Sequence, residues 1–358
     1  MMLSALSEGR NNNLNLIRFC AAFAVLVSHA YPISLGPGAV EPLQVYLGQI
    51  TLGSVSVYVF FVVSGFLITQ SFDRSKTVGD WIAGRVLRLY PALIIVLTLT
   101  VLVLGPLVTT QPLKQYFSDP GTQSYIPQNA SLAFLQYELP GVFQLNPYGG
   151  AINGSLWTLV HEVTCYVGVM IVGLMGVLLS RWRFSVGLAL YLAGYLGLHV
   201  FEQQGHLPGK LSAFLNLSLP FVLGMVFYVW RNSLQLNWLI GIALIPFAIL
   251  AKQTPAFFEG FVVVLAYWTF LLGYLPTGLI QTYNKIGDYS YGIYIYAFPM
   301  QQFVVFLFGP VTPVQNIYLA APPTLLLAIL SWHLVEKPAL SKKKQIGATL
   351  SRAISRSC

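Results

Sequence analysis

Apolar runs close to twenty residues long recur from one end of this 358-residue chain to the other. At ~1.5 Å per helical residue, each is long enough to cross a hydrocarbon layer ~30 Å thick. The runs are continuous rather than alternating with period two, which excludes a transmembrane β-barrel. Hydrophobic residues make up 56% of the chain and charged residues only 8%, against about 25% charged in a soluble domain. The expectation is all-α: a polytopic integral membrane helical bundle over residues 1–340, then a basic cytoplasmic tail over 341–358.

Spans are expected near 14–31, 52–71 and 91–108, then from Leu156 to just before Arg181. Six more fit 184–201, 212–230, 236–251, 259–276, 289–309 and 318–335. The count is ten, the shortest being 236–251, so both termini fall on one side. Arg18 interrupts the first run and no small-x-small cleavage signal follows, so that run is expected to be a retained span, not a signal peptide. Between spans three and four lies the longest polar insertion, 109–153, and loops of that length are usually functional or disordered.

The placement of charge orients the bundle. With the N-terminus in the cytosol, the outer loops hold only Lys114, Lys210 and Lys252. The inner loops and tail hold Arg10, Arg74, Lys76, Arg85, Arg88, Arg181, Arg183, Arg231, Lys285 and the six cations from Lys337 onward. That bias is the positive-inside pattern and puts both termini in the cytoplasm. The net charge of +8 is therefore an orientation signal and not a nucleic-acid surface. Cys20, Cys165 and Cys358 are too few and too apolar in setting for a disulfide framework or a zinc site. Cys20 and Cys165 are expected to pack as small hydrophobes, and no metal is expected.

Within the first span, Arg18 and His29 stand eleven residues apart, just over three helical turns, so both point to one face ~16 Å apart along the axis. Ionisable groups on a membrane helix are costly and mark functional sites by default. Depth counted from the span ends brings Glu162, in the fourth span, level with His29 in the outer third of the layer. A carboxylate beside an imidazole fixes its tautomer and raises its basicity, the base-and-orienter logic of acyl transfer. The plain alternative is a structural Glu–His pair, and His161 is a substitute partner. At the inner end Arg85 and Arg88 share a helical face and join Arg18, a grouping suited to a polyphosphate. Simple leaflet anchoring is the competing reading for either arginine alone. His199, His206 and His333 lie near span ends and are expected to have no role.

These motifs resemble the integral-membrane acyltransferase-3 family, whose members O-acylate sugars of envelope and secreted glycans. The resemblance rests on Arg18 and His29 in an R-x10-H pattern, FFVVSGFLI at 60–68, RVLRLYP at 85–91, NGSLWTLVHE at 153–162 and DYSYGIYIYAFP at 288–299. The five occur in the family's order over most of the chain. One departure is Ala297-Phe298, where many relatives carry Trp-His before the proline. The resemblance implies ten core helices, a catalytic His29, a cytosolic acyl-CoA donor served by the arginines, and a carbohydrate acceptor on the outer side. Acetyl is the default acyl group and succinyl the alternative. Asn153, Ser155 and Trp157 then become candidates to hold the sugar, although Trp157 equally suits an aromatic belt. The expected setting is a bacterial cytoplasmic (inner) membrane. A transporter or flippase of a glycan or lipid-linked sugar is the competing class, and it would show matching Gly/Pro-interrupted halves, which the chain lacks.

Overall fold

The computed structural model describes every residue except Arg10, Gln49 and Cys358, and leaves out the side chains of Gln203 and of residues 354–357. The inner-side cation Arg10, the third cysteine and the Arg356 side chain thus lie outside the described residues. Among the described residues there is no strand, only an isolated bridge between Met2 and Gln235. Among the described residues nine helices are long and apolar enough to cross a membrane. They are α1 (Leu14–Leu35), α2 (Leu52–Arg74), α3 (Val78–Val108), α4 (Gly154–Leu174), α5 (Arg181–Glu202), α6 (Gly209–Val229), α8 (Phe257–Tyr274), α9 (Ser290–Phe308) and α10 (Pro313–Ser341). The shorter α7 (Trp238–Ala251) lies between α6 and α8, and a terminal helix, α11 (Lys343–Ser357), follows α10. The chain is a polytopic helical membrane protein.

Several boundaries differ from the sequence reading, two of them because helices run through prolines. Pro32 and Pro91 both lie inside helices, each at the loss of one backbone hydrogen bond. Helix α3 therefore starts not at Pro91 but at Val78, where the Thr77 hydroxyl caps it by accepting from the Asp80 N–H at 3.1 Å. Helix α10 likewise starts at Pro313, behind a capping box of Thr312 and Gln315. The segment expected to be a tail is helical over most of its length.

The described chain divides into two compact units. The first comprises Met1–Arg18, Tyr58–Lys76 and His161–Ile286. Its core gathers Val62, Phe66, Phe227, Ala266, Phe270 and Tyr274, with the Phe66 and Phe270 rings 5.0 Å apart. Helices α2 and α6 cross where both are bare: a Cβ on Gly65 would lie 1.9 Å from the Phe221 carbonyl oxygen, and one on Gly224 2.1 Å from that of Val62.

The second unit comprises Phe19–Val57, Thr77–Val160 and Gly287–Cys358. Helix α9 is its most buried element and packs along α10, with Gly292 against Ala328. The polar insertion is ordered, carrying helices at Leu113–Ser118 and Pro120–Ser131. Buried Asn129 clamps it, donating to the Tyr125 and Gln136 carbonyls at 2.9 and 3.0 Å. Gln302 of α9 tethers its far end, donating to the Tyr148 and Ala151 carbonyls, each at 2.7 Å. The Tyr116 hydroxyl donates to the Val101 carbonyl at 3.0 Å, inside a π-helical stretch of α3 at Thr100–Leu104. Burial pushes that phenol up to about 12, so it remains a donor.

Cys165 is buried as expected, but Cys20 is exposed. On an apolar span, that surface still suits a small thiol, so the side chain needs no packed interior.

Candidate active site

Phe298 organises the first of two polar constellations in the second unit. His29, toward the C-terminal end of α1, meets its ring edge to face, with centroids 5.3 Å apart and planes at 75°. On another side of the ring, a Cβ on Gly154 would lie 2.7 Å from Phe298 Cε2, so only glycine fits there. Tyr148 of the polar insertion supplies a further edge-to-face contact at 5.8 Å. The Asn153–Gly154–Ser155 turn that opens α4 is fixed in place because Asn153 donates through Nδ2 to the Ile295 carbonyl at 2.8 Å. Its Oδ1 accepts from the Ser155 N–H at 3.2 Å. One turn on, the Thr158 and Tyr294 hydroxyls meet at 2.6 Å.

Buried polar atoms at this constellation lack partners among the described residues. His29 Nδ1 and Ser155 Oγ are both of this kind. So is Gln301 Oε1, although Gln301 Nε2 donates to the Leu26 carbonyl at 2.8 Å. A buried polar group left unbonded costs about 1–3 kcal/mol, and such groups concentrate where a ligand or catalytic partner completes them. His29 as a whole residue is half-buried, and its Nδ1 is sealed. Trp157 is 37% exposed, unlike the buried Asn153 and Ser155.

The second constellation lies at the foot of α3. Arg88 donates to Asp288 at 2.6 Å and to Glu336 at 3.4 Å, and its guanidinium stands 5.6 Å from the centre of the Trp332 ring. Glu336 is fully buried and also accepts from the Ser331 hydroxyl at 3.0 Å. A π-helical stretch of α10, Trp332–Glu336, brings this tryptophan and carboxylate to Arg88. The motifs RVLRLYP and DYSYGIYIYAFP are thus joined by an ion pair. Arg85 is half-buried on the same stretch of α3.

Of the other predicted residues, Arg18, Glu162, His161 and His199 belong to the first unit and His333 to the second. Arg18 stands 5.9 Å from the centre of the Phe60 ring. Glu162 accepts hydrogen bonds from Tyr166 and, at 3.3 Å, from Ser64. The expected pairing of Glu162 with His29 joins residues of different units and is carried forward as a proposal. His161 lies beside the Phe214 ring, 5.9 Å between centroids. His199 and His333 both have partners, Glu202 at 3.3 Å and the Tyr289 hydroxyl at 3.2 Å. Among the described residues no group of three or more His, Cys, Asp or Glu side chains is placed to hold a metal ion.

Sequence reasoning missed Phe298, Gln301, Asp288 and Glu336 as members of these constellations. A glutamine pair inside an apolar run, and two acids within a turn of membrane helices, were the signals available.

These constellations are candidate site residues of a helical membrane protein, and comparison with known proteins says to which family it belongs. A family model described as an acyltransferase domain matches residues 11–333. The chain belongs to the acyltransferase-3 family. It is 31% identical over 352 residues to an O-acetyl transferase of Shigella phage Sf6, covering 93% of this chain and 97% of that one. It is 27% identical over 369 residues to nodulation protein 10 of Rhizobium leguminosarum bv. viciae, covering 96% of each. No solved structure matches the chain.

Proposed function

We propose that this protein moves an acetyl group from cytosolic acetyl-CoA to a sugar hydroxyl of an exported polysaccharide, oligosaccharide or glycolipid, at a bacterial cytoplasmic membrane. The observation that carries the reading is the His29 imidazole, its Nδ1 sealed, held on Phe298 beside the pinned Asn153–Ser155 turn, in a chain of an acyltransferase family. The O-acetyl transferase from phage Sf6 supports acetyl as the group moved.

With Nδ1 sealed, Nε2 is the nitrogen that reacts. As general base it takes the proton of the acceptor hydroxyl while the oxygen attacks the thioester carbonyl. The carbon–sulfur bond then breaks and the thiolate of coenzyme A leaves, to be protonated. If the imidazole instead attacks first, an acyl-histidine forms and the hydroxyl attacks that. Glu162 is carried in this proposal as the carboxylate that raises the imidazole's basicity. Ser155 Oγ and Asn153 bind the acceptor, and Trp157 supplies a face for a sugar ring.

Arg18 and Arg85 serve the donor's phosphates. Arg88, counted with them on sequence, has its charge engaged by Asp288 and Glu336 and instead holds the base of α3 to α9 and α10. The test is release of coenzyme A from radiolabelled acetyl-CoA by the purified protein supplied with membrane glycans, with label recovered in the glycan. Label that crosses the membrane in an unmodified glycan would point to the transporter reading instead.

A further inference from the structure

The turn of α1 that carries His29 is gripped from two directions. From α9, the Phe298 ring meets the imidazole, and Gln301 Nε2 donates to the Leu26 carbonyl at 2.8 Å. The second grip comes from Glu41, which lies between α1 and α2, just before a short helix at Pro42–Leu47. Its Oε2 accepts from the hydroxyl of Ser28, the residue before His29, at 2.5 Å. Its Oε1 accepts from the N–H of Leu52, the first residue of α2. One carboxylate thus ties this turn of α1 to the start of α2.

Glu41 is 3% exposed and Ser28 8%, and a buried carboxylate is costly unless hydrogen bonds replace its water. Among the described residues, Ser28 and Leu52 are its hydrogen-bond partners. Gly53 closes the contact from the side of α2: a Cβ there would stand 2.8 Å from Ser28 Oγ and 3.2 Å from Ser28 Cβ. The first turn of α2 also has a cap of its own, since the Thr51 hydroxyl accepts from the Ser54 N–H at 2.9 Å. Capping alone therefore gives little reason to bury a carboxylate here, whereas holding Ser28 does. Successive residues stand about 100° apart round a rigid helix, so any rotation of α1 at Ser28 is passed on to His29.

We infer that Glu41 is a positioning residue for acyl transfer: through the Ser28 hydroxyl it fixes the rotation of α1 that presents the His29 imidazole to its substrates. This rests on the role proposed for His29 above.

The experiment measures kcat, the acetyl-CoA KM and the melting temperature for variants of the full chain in lipid nanodiscs. Ser28→Ala removes the hydroxyl that Glu41 holds. It should lower kcat about tenfold at unchanged donor KM, since a misplacement of about 1 Å at a reacting group can cost on the order of 10²-fold. Glu41→Leu should lower kcat to the same extent and the double variant no further, because the two residues act as a unit. Glu41→Gln should recover most of the rate: its amide oxygen still accepts from the Leu52 N–H, and its amide N–H donates to the Ser28 oxygen. Should Glu41→Leu fail to fold, Ser28→Ala and Glu41→Gln decide. A lower melting temperature in Ser28→Ala with kcat unchanged would overturn the inference and make the contact one of stability alone. Glu41→Gln as slow as Ser28→Ala would overturn it too, because charge and not position would then be what matters. His29→Ala, run alongside, separates the two proposals. If it retains transfer, the role of His29 falls and this inference with it; if it is inactive while Ser28→Ala keeps the wild-type kcat, only the positioning role falls.

Discussion

Phe298 turns the face or edge of its ring to His29 at 5.3 Å and 75°, which makes an aromatic side chain the immediate neighbour of the residue proposed to react. Such pairs contribute about 0.5–1.5 kcal/mol beyond their buried area, enough to hold an imidazole in one orientation. Phe298→Leu keeps most of the volume and loses that directional contact. Its kcat should fall about tenfold at unchanged donor affinity, as expected when orientation at the reacting atom is lost. Phe298→Tyr, which retains the ring, should recover most of the rate. Steady-state rates with the two variants decide it, and equal activity in both would make Phe298 mere packing.

Arg88 should behave as a structural residue. Removing one partner from a buried ion pair costs about 3–5 kcal/mol, because the remaining charges are left unpaired. Arg88→Ala strands Asp288 and the fully buried Glu336, so thermal unfolding should show a large loss of stability. Adding Asp288→Asn and Glu336→Gln should restore much of it, since the uncompensated charges disappear. Arg85→Ala should raise the acetyl-CoA KM and cost less stability than Arg88→Ala. Loss of stability in Arg85→Ala, with Arg88→Ala stable, would reverse the two assignments.

The helical class, the spans and the motif positions were legible because apolar length and composition are local properties of sequence. Pro91 misled because a proline takes away one hydrogen bond, and a long apolar helix absorbs that loss. The ion pairs of Arg88 were hidden because its partners Asp288 and Glu336 are 200 and 248 positions away in sequence, and nothing local pairs them. The same distance hid Phe298 from His29. The polar insertion read as a loop because Asn129, Gln136 and Gln302 hold it by hydrogen bonds to backbone, which leave no hydrophobic periodicity.

Topology can be read by labelling. In a chain with Cys20, Cys165 and Cys358 replaced by Ser, cysteine at the exposed Lys76 should react with an impermeant thiol reagent only from the cytosolic side. Cysteine at exposed Gln123 should react only from the outside. A tail on the cytosolic side with Lys76 requires an even number of crossings, so α7 must cross, although its 14 residues reach only about 21 Å. Cysteine at exposed Lys344 tests this. Reaction of that position from outside would leave α7 lying in one leaflet.

His29 carries the chemistry of this proposal, and its loss should be the most severe. A positioned general base contributes about 10²–10⁴-fold, and a lost covalent route adds to that. His29→Ala should therefore abolish acetyl transfer while coenzyme A binding stays near wild type, with only a small loss of stability from the lost ring contact with Phe298. Glu162→Gln keeps the side chain's shape and its bonds from Tyr166 and Ser64 while deleting the charge. If Glu162 serves the imidazole, this change should slow transfer without ending it, and the double variant should be no worse than His29→Ala, since groups acting as a unit are not additive. A double variant slower than His29→Ala would show that Glu162 acts independently of the histidine. Near-normal transfer by a folded His29→Ala protein would remove His29 from the mechanism, and His161 would be the next imidazole to replace.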